Sequence, residues 1–175
     1  MTDDKWYMLT LVGKDRPGIV AHVTSALFEE GGNLGEASMI RLGGNFSMML
    51  MVQFTGNLHA LHERIDGVAE SLSLHVHLDH IEGHLHDHRQ PDVRISVYGA
   101  DRAGIVARVT GVLAEAGLHI LDLESDVAGT QAEPVYIMTI EGHAGEGIPA
   151  LESALEIVKQ EGIDASLEPV DIMLG

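Results

Sequence analysis

Gly13-Lys14-Asp15-Arg16-Pro17-Gly18-Ile19-Val20-Ala21-His22-Val23-Thr24 returns later in the chain as Gly99-Ala100-Asp101-Arg102-Ala103-Gly104-Ile105-Val106-Ala107-Arg108-Val109-Thr110. The copies differ only where Lys14, Pro17 and His22 face Ala100, Ala103 and Arg108. Each follows an apolar, strand-like run and opens an amphipathic, helix-like run. A tight strand-to-helix turn points backbone N–H groups out of a helix N-terminus, which suits a small anionic group. Two copies are too few for a solenoid, so the repeat predicts a tandem of two domains. Their bounds are read as 1–83 and 93–175, joined by a polar, His-rich linker over 84–92 that contains Pro91.

Composition narrows the classes. The 175 residues are 45% hydrophobic but only 4% aromatic, so each core must be aliphatic, with eight Met as adaptable filler. The absence of Cys excludes disulfides, thiolate metal sites and a Cys nucleophile. A formal net charge of −17 repels a phosphate backbone, so direct nucleic-acid binding is not expected. A protein partner with a basic face fits that charge; so does a purely solubilising role. The N-terminus is acidic and polar, and no apolar run approaches a membrane span. A soluble, cytoplasmic protein without cofactor is expected.

In order, the first unit reads as a strand over Trp6 to Val12, then the turn, with Asp15 as N-cap and Pro17 in the first helical turn. The helix carries Ile19, Val20, Val23, Leu27 and Phe28 and stops at Gly31-Gly32-Asn33. Strands over Leu34–Leu42 and Phe46–Phe54 flank a Gly43-Gly44-Asn45 hairpin. A second helix after Gly56-Asn57 and a strand from Leu74 complete βαββαβ. The second unit repeats this order, with a longer loop at Ala128–Glu133, a third strand over Pro134–Glu141, a helix over Glu146–Gln160 and a last strand over Ile163–Met173. The fold class is therefore α+β: two ferredoxin-like βαββαβ sandwiches, with antiparallel sheets of order 4-1-3-2 carrying both helices on one face. In the third strand Phe46, Met48, Leu50, Val52 and Phe54 form one face, and Met49 and Met51 the other. Tyr7, Leu9 and Leu11 are placed beside those two Met, which predicts that a sister domain or subunit covers the bare face of the first sheet.

The motif Gly-x-Asp-Arg-Pro-Gly-Ile-Val-Ala-x-Val-Thr, with Leu27 and Gly31-Gly32-Asn33-Leu34, resembles the start of an ACT domain. The second unit matches through Asp101-Arg102-Ala103-Gly104-Ile105-Val106, Leu113 and Gly117-Leu118-His119-Ile120. Two such domains filling the chain, with Asp122-Leu123-Glu124-Ser125 and Glu133-Pro134-Val135-Tyr136-Ile137-Met138, resemble the glycine cleavage system transcriptional repressor group. The resemblance implies a regulatory module that binds an amino acid near the first turn, pairs through sheets and helices as a homo-oligomer, and acts on a protein partner, a transcriptional activator, rather than on DNA. The second unit departs at Ala103, where Pro is expected, and at His119, where the first unit has Asn33.

Three chemistries follow. In the turns, N–H groups near Gly18 and Ile19 would hold a carboxylate, with Asp15 or Asn33 accepting an ammonium and Arg16 available for pairing. The ligand set implied is Asp15, Arg16, Pro17, Gly18, Ile19, Val20, Asn33 and Leu34, repeated as Asp101, Arg102, Gly104, Ile105 and His119. The plain structural alternative is that Asp15 caps the helix and Gly18 allows tight packing. Second, six of the eleven His lie at His75, His77, His80, His84, His86 and His88. On a strand His75 and His77 point the same way and would offer two imidazoles to a metal; a solvated polar face and a pH-sensitive hinge are the alternatives. Third, no nucleophile elbow, P-loop or metal-protease motif is present, so an enzyme is not expected. Beside amino-acid sensing stand two other readings, a ligand-free adaptor module and a His-based metal-binding module.

Overall fold

A computed structural model describes residues 5–82, 89–100 and 104–170. His84, His86, His88, Asp101, Arg102, Ala103 and the predicted strand end at Met173 lie outside them. The chain divides into two compact units, Met1–Asp87 and His88–Gly175. The first contains β1 (Trp6–Lys14), α1 (Ile19–Glu29), β2 (Asn33–Leu42), β3 (Asn45–Gln53), α2 (Leu58–Leu72) and β4 (Leu74–Ile81). The second contains β5 (Val93–Ala100), α3 (Ile105–Glu115), β6 (Leu118–Gly129), β7 (Pro134–Ala144), α4 (Ile148–Gln160) and β8 (Asp164–Pro169). Each unit forms one antiparallel sheet, in the orders β2-β3-β1-β4 and β6-β7-β5-β8. This is the expected βαββαβ sandwich, with the expected strand order.

The helices bury one stripe each. α1 buries Ile19, Val23, Ala26 and Leu27, and α2 buries Leu61, Ile65 and Ala69. These pack on Tyr7, Leu9, Leu11, Met48, Leu50 and Val52. Tyr7, Leu9 and Leu11 therefore face the helices and do not lie beside Met49 and Met51. The register gives the reason: Tyr7 pairs Val52, Leu9 pairs Leu50 and Leu11 pairs Met48, and opposite residues share a face. The open face instead carries Met8, Thr10 and Val12, opposite Met51, Met49 and Ser47. Met49 is 47% exposed.

The helix starts also differ from expectation. Asp15 does not cap α1, and Pro17 precedes the helix. The N-cap is Gly18, at φ 88°, with no side-chain cap. Only glycine takes this left-handed geometry without strain, and it delays the helix to Ile19. Gly104 repeats the geometry at φ 86° before α3. In contrast, Asn57 caps α2, its Oδ1 accepting the His59 N–H at 3.0 Å.

Gly43 and Gly44, both at positive φ, make the expected hairpin. The second hairpin is tighter than expected. β6 runs to Gly129 and β7 starts at Pro134, leaving Thr130–Glu133, whose ends exchange backbone bonds of 3.3 and 3.1 Å. β7 also continues past Glu141 to Ala144, and α4 begins only after Gly147. Both edge strands β2 and β6 contain a bulge, between Leu34 and Ala37 and between Ile120 and Asp122.

Candidate functional site

β1 delivers the chain to the first turn, and the β2–β3 hairpin supports it. The Asp15 N–H donates to the Gly44 carbonyl at 3.1 Å, and the Asp15 carboxylate pairs with Arg41 of β2. The delayed helix start leaves Asp15 free for this ion pair. The Gly18 carbonyl accepts the His22 N–H at 3.0 Å and lies 2.7 Å from His22 Nδ1. Asp15, Arg16, Pro17, Gly18, Ile19 and Val20 then line a cleft of about 510 Å³, closed by Met39, Arg41 and Phe46.

The cleft joins an uncapped helix start to two arginines. The first N–H groups of α1 have no intrahelical acceptor and no capping side chain. Arg16 makes no ion pair with any described residue, and Arg41 lies across the cleft from it, held by Asp15. Arg16 and Arg41 line one cleft in a chain with ten Lys and Arg in all. Ile19 and Phe46 supply a buried apolar floor, while Met39 is half exposed.

Asn33 and Leu34 do not join this cleft. They start β2 at the Gln53 end of β3, whereas the turn follows the Asn45 end. A nine-residue strand separates these ends by roughly 25 Å. Asn33 instead donates to Gln53 Oε1 at 3.3 Å. Arg41, Met39 and Phe46 are the lining residues that the sequence did not single out. The signal was the hairpin: Gly43-Gly44 folds β2 and β3 back on themselves, returning their ends to the turn.

The second unit keeps Gly104 and Ile105 in the same geometry. The register places Val127 where the first unit has Arg41, since these residues pair Tyr136 and Phe46 respectively. His119 lies at the far end of its sheet, opposite His143, whose Nδ1 is 2.7 Å from Asp92 Oδ2. His75 and His77 are exposed on β4, and His77 Nε2 lies 3.1 Å from Asp79 Oδ2. Among the described residues no three His, Asp or Glu gather as a metal set. No helix among them is long and apolar enough to cross a membrane.

Comparison with known proteins agrees with this architecture. A UPF0237 protein of Listeria innocua is 33% identical over 78 residues, 43% of this chain and 88% of the relative. A UPF0237 protein of Methanopyrus kandleri is 31% identical over 85 residues, 47% of this chain and 94% of the relative. An unknown protein from Galdieria sulphuraria superposes with TM-score 0.78 at 24% identity, covering 97% of this chain and all of that one. A candidate glycine cleavage system transcriptional repressor superposes with TM-score 0.72 at 17% identity, covering 97% and 99% of the two chains, and shares the fold. The family profile of the ACT domain matches residues 7–79 and again 92–166. With both repeats matched, the chain belongs to the ACT-domain family of regulatory ligand-binding modules, as a tandem.

Proposed function

We propose that the first turn binds a small amino acid and that the bound state regulates a protein partner. The observation that carries this reading is the cleft itself. An uncapped helix N-terminus meets Arg16 and Arg41 over an apolar floor. The carboxylate sits against the Ile19 and Val20 N–H groups, with Arg16 beside it, and Asp15 takes the ammonium. Asn33 and Leu34 lie beyond reach of the turn in their own sheet, so they contact the ligand only from a second copy of the chain. The regulatory assembly is thus a homo-oligomer. The corresponding second turn, at Gly104 and Ile105, is weakened by Val127 in place of Arg41, and His119, like Asn33, reaches such a site only from a second copy. Ligand binding regulates by favouring one packing over another, which requires unequal affinity for the two. The partner is a transcriptional activator, through which the chain regulates glycine or amino-acid metabolism, in line with the fold shared with the candidate repressor and with a charge that disfavours DNA.

Calorimetry of the full chain with glycine, serine and other amino acids tests the reading. Saturable heat is expected with at least one, and Arg41→Gln and Arg16→Gln each weaken it about tenfold. No heat and no thermal shift with any of them at millimolar ligand defeats it. The adaptor reading has its own support in the open face of the first sheet, where Ile40 is 57% and Leu42 72% exposed. Oligomerisation through that face without any amino-acid binding would select it.

A further inference from the structure

The second sheet ends at β8, which is hydrogen-bonded to β5 on one side only. On an edge strand, alternate N–H and C=O groups point outward, and no described strand takes those of β8. α4 runs beside this edge. Glu152, Ser153 and Glu156 on its outer flank, with Ser166 and Leu167 of β8, wall a groove of about 600 Å³. Leu155 and Ala165, both buried, form its floor.

An extended chain laid along β8 would send alternate side chains into the groove and onto the open face of the sheet. The first set meets Glu152 and Glu156. The second meets Asp164 and Glu168, which register opposite Tyr98 and Arg94. Both rows are acidic. Lys159 is the cation already seated there: its Nζ donates to Glu156 at 2.8 Å. That bond, with the charges of Glu156, Asp164 and Glu152, holds the ammonium above its ordinary pKa in spite of partial desolvation.

We propose that the α4–β8 groove binds an extended lysine- or arginine-bearing polypeptide segment as a fifth strand of the second sheet. Backbone pairing to β8 supplies the affinity, and the two acidic rows select the charge. This surface lies in the second unit and is independent of amino-acid binding at the first turn.

Fluorescence anisotropy of the full chain with a labelled octapeptide alternating lysine and valine tests it. Saturable binding is expected. Methylating alternate peptide nitrogens, which removes strand hydrogen bonds and keeps the charge, weakens binding about tenfold. Glu152→Lys weakens it about fivefold, with Glu152→Gln as the milder variant and a thermal melt confirming that each folds. Amide resonances of Ala165 to Glu168 shift on titration. Absence of binding at millimolar peptide, or equal binding of the methylated and unmethylated peptides, overturns the proposal. Amino-acid calorimetry on the same preparation reads the first turn separately, so the two failures are distinguishable.

Discussion

The two units share a strand order and a left-handed glycine before the first helix, yet their open sheet faces differ in charge. The first presents Trp6, Met8 and Val12 of β1, Met49 and Met51 of β3, and Ile40 and Leu42 of β2, beside His75, His77 and Asp79 of β4. The second presents Asp122, Glu124 and Asp126 of β6, Glu141 of β7, and Asp164 and Glu168 of β8, around Tyr98 of β5 and Val135 and Ile137 of β7. Arg94 is the basic residue among them, 2.6 Å from Glu141. A two-layer sandwich needs only one apolar face, so the other is free to take a separate chemistry. The turns differ in the same way: Gly18 and Gly104 hold one geometry, but Arg41 gives way to Val127. Backbone and helix-side core are common to both units, and the exposed faces are not.

The largest expected effect probes what is common. Leu50→Ala and Ile140→Ala, at matching core positions, each lower the stability of their unit by about 3 kcal/mol, read by amide exchange in each unit. Met49→Ala, one residue away on the open face, costs under about 1 kcal/mol in the monomer. A cost equal to that of Leu50→Ala would show that the face is covered in solution. Gly18→Ala and Gly104→Ala each cost about 1–2 kcal/mol through the left-handed φ. The first is the worse, because an added Cβ would lie 3.3 Å from the His22 ring while nothing crowds the second. Asn57→Ala costs about 1 kcal/mol in urea titration, a loss without counterpart at α4, whose N-cap Gly147 has no side chain to remove. Smallest is the acidic face: Asp122→Asn, Glu124→Gln and Asp126→Asn together raise stability by about 0.5 kcal/mol at low salt, a gain that high salt erases. Persistence of that gain in high salt would locate its cause outside charge repulsion.

The repeat, the element order and the hairpin glycines were legible because each is a local signal. The side of the sheet taken by Tyr7, Leu9 and Leu11 was not. The run from Trp6 to Val12 is apolar at both parities, and only its pairing with Leu50 and Met48 decides the side. Asp15 misled for a related reason. Its position suits a cap, but a left-handed Gly18 three residues on postpones the helix, and the carboxylate turns to Arg41. Asn33 does not join the turn within its own unit, since a nine-residue strand lies between them. Arg41 is far from the turn in sequence, and only the hairpin returns it.

The bulge in β2 ties the cleft to the reading frame of the strand. Side chains alternate between faces, and the one extra residue between Leu34 and Ala37 sets which parity faces the helices. Loss of a single codon there, with the flanking pairs near Leu34 held in place, would remove that extra residue and leave Ala37 opposite Leu50 as before. Arg41 would stay opposite Phe46 in the cleft, and Ile40 and Leu42 would stay on the open face. A three-base deletion in this short stretch is thus absorbed by the bulge, whereas the same deletion between Ala37 and Arg41, with the pairs before it held, would carry Arg41 out of the cleft to the open face.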